Sequence, residues 1–351
     1  METIKINELL KGYKVDRSGT QNAANMIVVP LISETEYTPI ADFTSINLNR
    51  DVAYGELEFK NISDDIGILL QGYTLITSQH AQDRTVPYAH LIKGKSTTRV
   101  AANCVQAHQC GLIDVSRLKT SDIKILPPSL RAMAMIKGHP NSTNSQDFGA
   151  LWGNLATWAD KIDLKEGGLV AFYTKFKEQL DQFVASFESV NNQLGAITIL
   201  NNEIVAIDIV PKYNTWLQIF RPLIRDSYGA EAIRLIQNGQ IKSLVSILDD
   251  KKVDDINDLE KEFNKNTETF FDSISDIVKQ NTELEVEYKA LQEIGDLNLV
   301  KFESQGMIGC GVFHGDHVVY LSLVSKDIMR KKEKVSDFKS TGVYSNNRFT
   351  I

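Results

Sequence analysis

Cysteine is scarce. Cys104, Cys110 and Cys310 are the three present in 351 residues. An odd, widely spaced set makes no disulfide framework, so a reducing, cytoplasmic compartment is the expectation. Apolar runs of membrane-spanning length, ~20 residues, are also missing. The opening METIKINELLKGY has no apolar core of the signal-peptide kind. Both absences point away from a membrane. The chain also lacks an excess of positive charge. Its 38 basic and 45 acidic residues leave a formal net charge of −7, which argues against a nucleic-acid surface spread over the whole protein.

The short catalytic signatures are absent too. There is no G-x-x-x-x-G-K-[ST], no G-x-G-x-x-G opening a helix, no G-x-S-x-G and no H-E-x-x-H. This counts against the commonest nucleotide-hydrolase, dehydrogenase and hydrolase designs and leaves open whether the protein is an enzyme. No cofactor is implied.

What is present suits a folded protein: 42% apolar and 24% charged residues. Residues 1–135 read mainly as short strands. MIVVPLI, AYGELEFKNI, IGILLQGYTLIT and RVAANCVQAH are punctuated by Gly, Asn, Asp and Pro, as in an antiparallel sheet or sandwich. The phase of AYGELEFKNI slips at Gly55, where a bulge is expected. Residues 136–325 read as α+β. In GLVAFYTKFKEQLDQFVASF, Leu169, Phe172, Phe176, Leu180, Phe183 and Phe187 make one apolar helical stripe. GAITIL-NNE-IVAIDIV and the run around HGDH read as hairpins. YNTWLQIFRPLIRDSYGAEAIRLI reads as a helix bent or broken at Pro222.

A long helical arm is expected at about 253–294. Ile256, Phe263, Phe270, Ile277, Leu284 and Leu291 fall seven apart, a coiled-coil-like seam. Docking on its own domain and self-association into a homo-oligomer are both open for it. The segment 326–351 carries seven basic residues against three acidic ones. It reads as a loosely attached basic tail, the one place where nucleic acid or another partner would find positive charge.

Three clusters could carry chemistry. The first is ITSQHAQDRTVPY, which holds Gln79, Gln82, Asp83 and Arg84 in six positions. Arginine offers a planar fork for phosphate or carboxylate. The glutamines can orient an amide, ribose or base edge, and Asp83 is a candidate base or a partner for Arg84. A self-satisfied polar surface loop is the alternative. The second is CVQAHQC. On a strand, Cys104, Gln106, His108 and Cys110 share a face. Cys104, His108 and Cys110 are zinc-compatible, although their spacing is not a standard one; a polar site wall and plain packing are the other readings. The third is NSTNSQDFGALW, where Gln146 and Asp147 precede a helix and serve either an anion or a helix cap.

The ordered motifs LLQGYTLITSQHAQDR, NCVQAHQCG, PPSLRAMA, SQDFGALW, GAITILNNEIVAIDI, PLIRDSYGAEAI and GCGVFHGDHVVYLSL resemble those of the ADP-ribosylglycohydrolase and rhodanese-phosphatase superfamily-associated proteins. The resemblance runs from about residue 9 to 324. It implies a polar pocket for an ADP-ribose-like, nucleotide or phosphorylated ligand, centred on the 79–84 loop. Its contacts would be Gln79, Gln82, Arg84, Gln106, Gln146, Asp208, Arg225 and Tyr228. Where the family pattern carries acidic residues, this chain has Tyr73 and Gln106. Asp83 and Asp208 are then the remaining candidate bases, and binding is better supported than catalysis. The competing reading is a non-enzymatic structural or interaction protein of an oligomeric, virus-type assembly, using the 256–291 seam and the basic tail.

Overall fold

The computed structural model describes residues 2–53, 55–76, 82–105, 111–119, 122–137, 168–239 and 271–326, with Leu151, Leu155, Trp158, Ala159, Ile162 and Leu164 between them. Its centre is a ten-stranded sheet. Across the sheet the strands run Glu2–Lys5, Glu285–Ile294, Leu297–Glu303, Met307–His314, His317–Ser325, Glu203–Ile209, Gln193–Leu200, Met26–Ile32 and Lys14–Val15, with Gln21–Ala23 also beside Met26–Ile32. Neighbours are antiparallel. The fold is mixed α+β, with a strand-rich N-terminal part.

The central strands are apolar on both faces because both faces are covered. Gln193–Leu200 is buried at every position. Its Ala196 and Leu200 face a helical layer, and its Ile197 and Ile199 face the other way. The helical layer includes Pro128–Lys137, Leu169–Lys175, Lys177–Ala185, Tyr213–Pro222 and Ala230–Gln237. The whole stripe from Leu169 to Phe187 is buried there. Behind the sheet lie the short helix Ile6–Leu9 and Ile274 and Val278 of the helical segment 271–282.

Residues 46–125 fold small sheets onto this frame. Ile46–Ala53, Glu56–Asn61 and Thr97–Ala101 form one, Gly67–Leu69 and His90–Ile92 another, and Asn103–Cys104, Arg84–Thr85, Tyr73–Leu75 and Ile123–Ile125 a third. Leu48, Leu57, Phe59, Tyr73, Val86 and Val100 fill the space between them. Gly55, with φ 91°, lies between two paired strands, so AYGELEFKNI turns there and does not bulge.

Two expectations on organisation need correction. The compositional change at 135 does not divide the main sheet, because Met26–Ile32 pairs with Gln193–Leu200 and Glu2–Lys5 with Glu285–Ile294. The expected arm at 253–294 is helical at 271–282 but is a strand at Glu285–Ile294; residues 253–270 lie outside the described residues. The seven-residue spacing misled because this strand lies near the sheet edge. Most of its side chains are at least partly exposed, so polar residues conceal its two-residue period. Of the seam residues, Ile277 packs against the protein's own sheet, beside the buried Ile274 and Val278. Among the described residues no helix is long and apolar enough to cross a membrane.

Candidate functional site

Helix Pro128–Lys137 starts on the second of two prolines, Pro127 and Pro128, which end the preceding extended segment. Its first turns carry Arg131, 1% exposed in an otherwise apolar run. An arginine at such depth must be paired. Its Nη1 donates to Asp208 Oδ1 at 2.7 Å and its Nη2 to Asp208 Oδ2 at 3.1 Å, a two-pronged charged contact. Nη1 also meets Ser322 Oγ at 2.7 Å, and Nη2 meets Ser227 Oγ at 3.3 Å. Burial works against the guanidinium charge, but Asp208 outweighs it and holds Arg131 above its ordinary pKa.

The sheet and one helix supply the partners. Asp208 and Ser322 are cross-strand neighbours, so they reach the same face. Ser227 and Tyr228 come from Leu223–Gly229, a π-helical turn directly after Pro222. The helix thus widens at Pro222 and runs on as Ala230–Gln237. Tyr228 Oη donates to Asp208 Oδ2 at 2.6 Å, and Ser227 Oγ donates to the Leu126 carbonyl at 2.7 Å. Burial, followed by the Asp208 charge, pushes the Tyr228 phenol well above its ordinary pKa and keeps it a donor.

Arg131 fits because Gly72 has no side chain. Gly72 has φ +73°, and a Cβ there would lie 2.8 Å from Arg131 Cγ and Cδ. Beside the pair lies a cavity of about 10 Å3 lined by Gln71, Arg131, Asp208, Tyr320 and Ser322 among others, room for about one water. Among the described residues Gln71 Oε1 and Arg131 Nε are buried without a hydrogen-bond partner.

Two further charged groups flank this network. Glu231 is fully buried; it accepts from the Ser129 amide at 3.1 Å and the Ser129 hydroxyl at 2.5 Å, and from Arg234 Nε at 2.7 Å. It therefore neutralises the start of helix Pro128–Lys137, and Trp158 Nε1 donates to the same Ser129 hydroxyl at 2.8 Å. On the other side, Arg225 donates to Asp181 at 2.7 Å and to Asp226 at 2.6 Å, with Lys124 3.5 Å from Asp226. Burial raises the Asp226 carboxyl above the usual carboxylate range, against the pull of Lys124 and Arg225.

The expected site residues divide accordingly. Asp208 and Tyr228 meet directly. Arg225, two and three positions before Ser227 and Tyr228, turns instead to Asp181 and Asp226. Arg84 is fully buried in the small sheets, 3.6 Å from Asp51 and donating to Cys104 Sγ at 3.0 Å. Burial pushes the Cys104 thiol up to about 12, although Arg84 pulls it down. Gln82 and Asp83 are also buried; the Asp83 carbonyl accepts from the Val105 amide and the Gln82 amide donates to the Gly111 carbonyl. Gln79, Gln106, His108, Cys110, Gln146 and Asp147 lie outside the described residues. Among the described residues no three His, Cys, Asp or Glu side chains gather in a group able to hold a metal.

The two arginine regions are linked by one strand pair. Leu75 faces Arg84 across Tyr73–Leu75 and Arg84–Thr85, and Gly72, against Arg131, lies just beyond its other end. Three residues of strand separate them, ~10 Å of chain. Arg131, Ser227, Ser322, Gln71 and Glu231 were missed as site residues. A charged residue interrupting the apolar run LRAMAMI was the one local signal for Arg131. Chemically, the network orients and fixes. Asp208 already takes three donors, so it acts as a structural carboxylate in this arrangement.

Residues 14–324 match the model of the ARPP-1 domain, described as the ARG and Rhodanese-Phosphatase-superfamily-associated Protein domain. The chain belongs to this family. The match covers the whole ten-stranded sheet apart from its first strand, Glu2–Lys5, and Ser325 at the end of its last. Comparison with curated proteins and with solved structures gave no match. The ARPP-1 assignment places the Arg131 network and the Arg84 strand pair both within the family domain.

Proposed function

We propose that this ARPP-1 protein binds an ADP-ribose-like, nucleotide or phosphorylated small ligand beside the Gln82–Arg84 segment, on strands held in place by the polar seam that runs from there to the Arg131–Asp208 network. The observation that carries this reading is the density of buried polar groups there. Gln71, Gln82, Asp83, Arg84, Arg131, Asp208, Ser227 and Ser322 are all at most 5% exposed. Burying so many polar groups in a core is costly, and apolar residues of like volume would commonly serve stability as well or better. A recurring use of such groups is to fix donors and acceptors in advance for a ligand. The family's name, which associates it with ARG and rhodanese-phosphatase superfamilies, supports the choice of ligand class.

Binding, not catalysis, is the activity proposed. Asp208 already accepts three hydrogen bonds, and Tyr73 and Gln106 bring no carboxylate. The test is thermal unfolding of the full chain with ADP-ribose, NAD and nucleoside phosphates. A ligand selective for the folded state stabilises by ~2.7 kcal/mol at a hundred times its dissociation constant. A midpoint that stays fixed at millimolar concentrations of all of them rejects the proposal.

A further inference from the structure

A second polar region lies further along the strand His317–Ser325. A groove of about 270 Å3 opens where the His314–His317 hairpin meets the segment 33–37 and the end of helix Ile6–Leu9. Its lining includes Lys11, Tyr13, Tyr37, Pro211, His314 and His317. It adjoins the buried cavity along the chain. Pro211 and Val319 line the groove, while their chain neighbours Val210 and Tyr320 line the cavity.

One wall is fixed. The rings of Tyr37 and His314 lie 4.7 Å apart, and Asp296 holds both, His314 Nε2 at 2.8 Å and the Tyr37 hydroxyl at 3.5 Å. Across the groove, the Tyr13 hydroxyl donates to the Val318 carbonyl at 2.7 Å. That bond ties the chain around Lys11 to the chain around His317. Among the described residues neither the Lys11 ammonium nor the His317 ring has a hydrogen-bond or ion-pair partner. Both line the same groove. Of the carboxylates nearby, Glu36 accepts from the Tyr213 amide at 3.0 Å and Asp296 is taken by His314, while Asp316 stands exposed beside His317 in the hairpin turn. The groove therefore offers donors and a cation to a ligand, with a ring pair as its side.

We propose that this groove binds a small phosphomonoester, with Lys11 and His317 contacting the phosphoryl oxygens and the Tyr37–His314 pair flanking the ligand's ring. The volume is just under the usual range for small-molecule sites, ~300–1,000 Å3. A mononucleotide is the largest ligand that suits it, and an extended dinucleotide does not. The site is separate from the seam proposed above and stands or falls without it.

The experiment is calorimetric titration of the full chain with AMP, inorganic phosphate and adenosine. AMP is expected to bind at least tenfold more tightly than adenosine. The double variant Lys11→Ala, His317→Gln is expected to lose at least tenfold in AMP affinity with its unfolding midpoint unchanged, since both side chains are exposed. Tyr37→Leu should weaken AMP more than inorganic phosphate. No AMP binding, adenosine binding equal to AMP, or a double variant that binds AMP as the parent does would each overturn the proposal. ADP-ribose stabilisation that survives in the double variant would belong to the seam and not to the groove.

Discussion

Two polar regions adjoin along the chain at Val210–Pro211 and Val319–Tyr320, and they treat charge in opposite ways. Inside, Arg131 and Asp208 are buried and matched, each taking several partners. Outside, Lys11 and His317 are exposed and meet no protein partner among the described residues. The buried pair has low conformational freedom and high cost of disruption. The exposed pair has the reverse. The difference teaches where stability and where binding should respond to mutation.

The sharpest way to break the contrast is at Arg131. Arg131→Met strands Asp208 in the core, and removing one partner of a buried pair costs ~3–5 kcal/mol. Denaturant unfolding would measure it. Adding Asp208→Leu should return a large part of that loss, because no charge then remains unpaired. A double variant no more stable than the single one would show that Arg131 and Asp208 do not act as a unit. Next in size is Gly72→Ala. It combines a left-handed backbone with a Cβ 2.8 Å from the Arg131 side chain, and a loss of ~1–3 kcal/mol follows from such strain. Smaller again is Tyr228→Phe, which removes one donor from Asp208. Unfolding should register ~1–2 kcal/mol, with the Arg131 contact surviving. At the far end, Lys11→Ala should shift stability by less than ~0.5 kcal/mol, as for ordinary surface positions. A loss above 1 kcal/mol there would erase the contrast between the two regions.

Much of the sheet was legible in the sequence. GAITIL-NNE-IVAIDIV carried its own instructions: continuous apolar residues for a doubly covered strand, and a turn that Asn201 and Asn202 close with φ of 53° and 61°. The stripe from Leu169 to Phe187 was legible for the same reason, as its period directly reports a buried face. Glu285–Ile294 was not legible, since an edge-side strand with exposed side chains has no apolar rhythm to read. The site was legible only in fragments. Asp208 and Tyr228 were named through a family likeness, and they do meet. Arg131 was passed over although its motif was in view. Its partners lie 77 and 191 positions away, and no local pattern encodes pairing at that distance. Arg84 is expected from sequence to hold an anion, and its burial beside Asp51 and Cys104 has no local signal, because it follows from strand pairing with Asn103–Cys104 and Tyr73–Leu75.

The widened turn at Leu223–Gly229 works as a phase adjuster. An α-helix advances ~100° per residue, so one continuous helix could not aim Ser227 and Tyr228 at the sheet and Glu231 at Ser129 with arbitrary angles between them. The wider turn holds one residue more than an α turn and resets the angle. Gly229 permits it, since a Cβ there would lie 2.7 Å from the Ile224 carbonyl oxygen, five residues back. Length in this segment is therefore quantised. Deleting any one residue between 223 and 229 would swing the rest of the helix by about a quarter turn, uncoupling Glu231 from Ser129 while leaving every side chain in place to be made. Homologous chains should tolerate exchange of letters here far more readily than any change in their number.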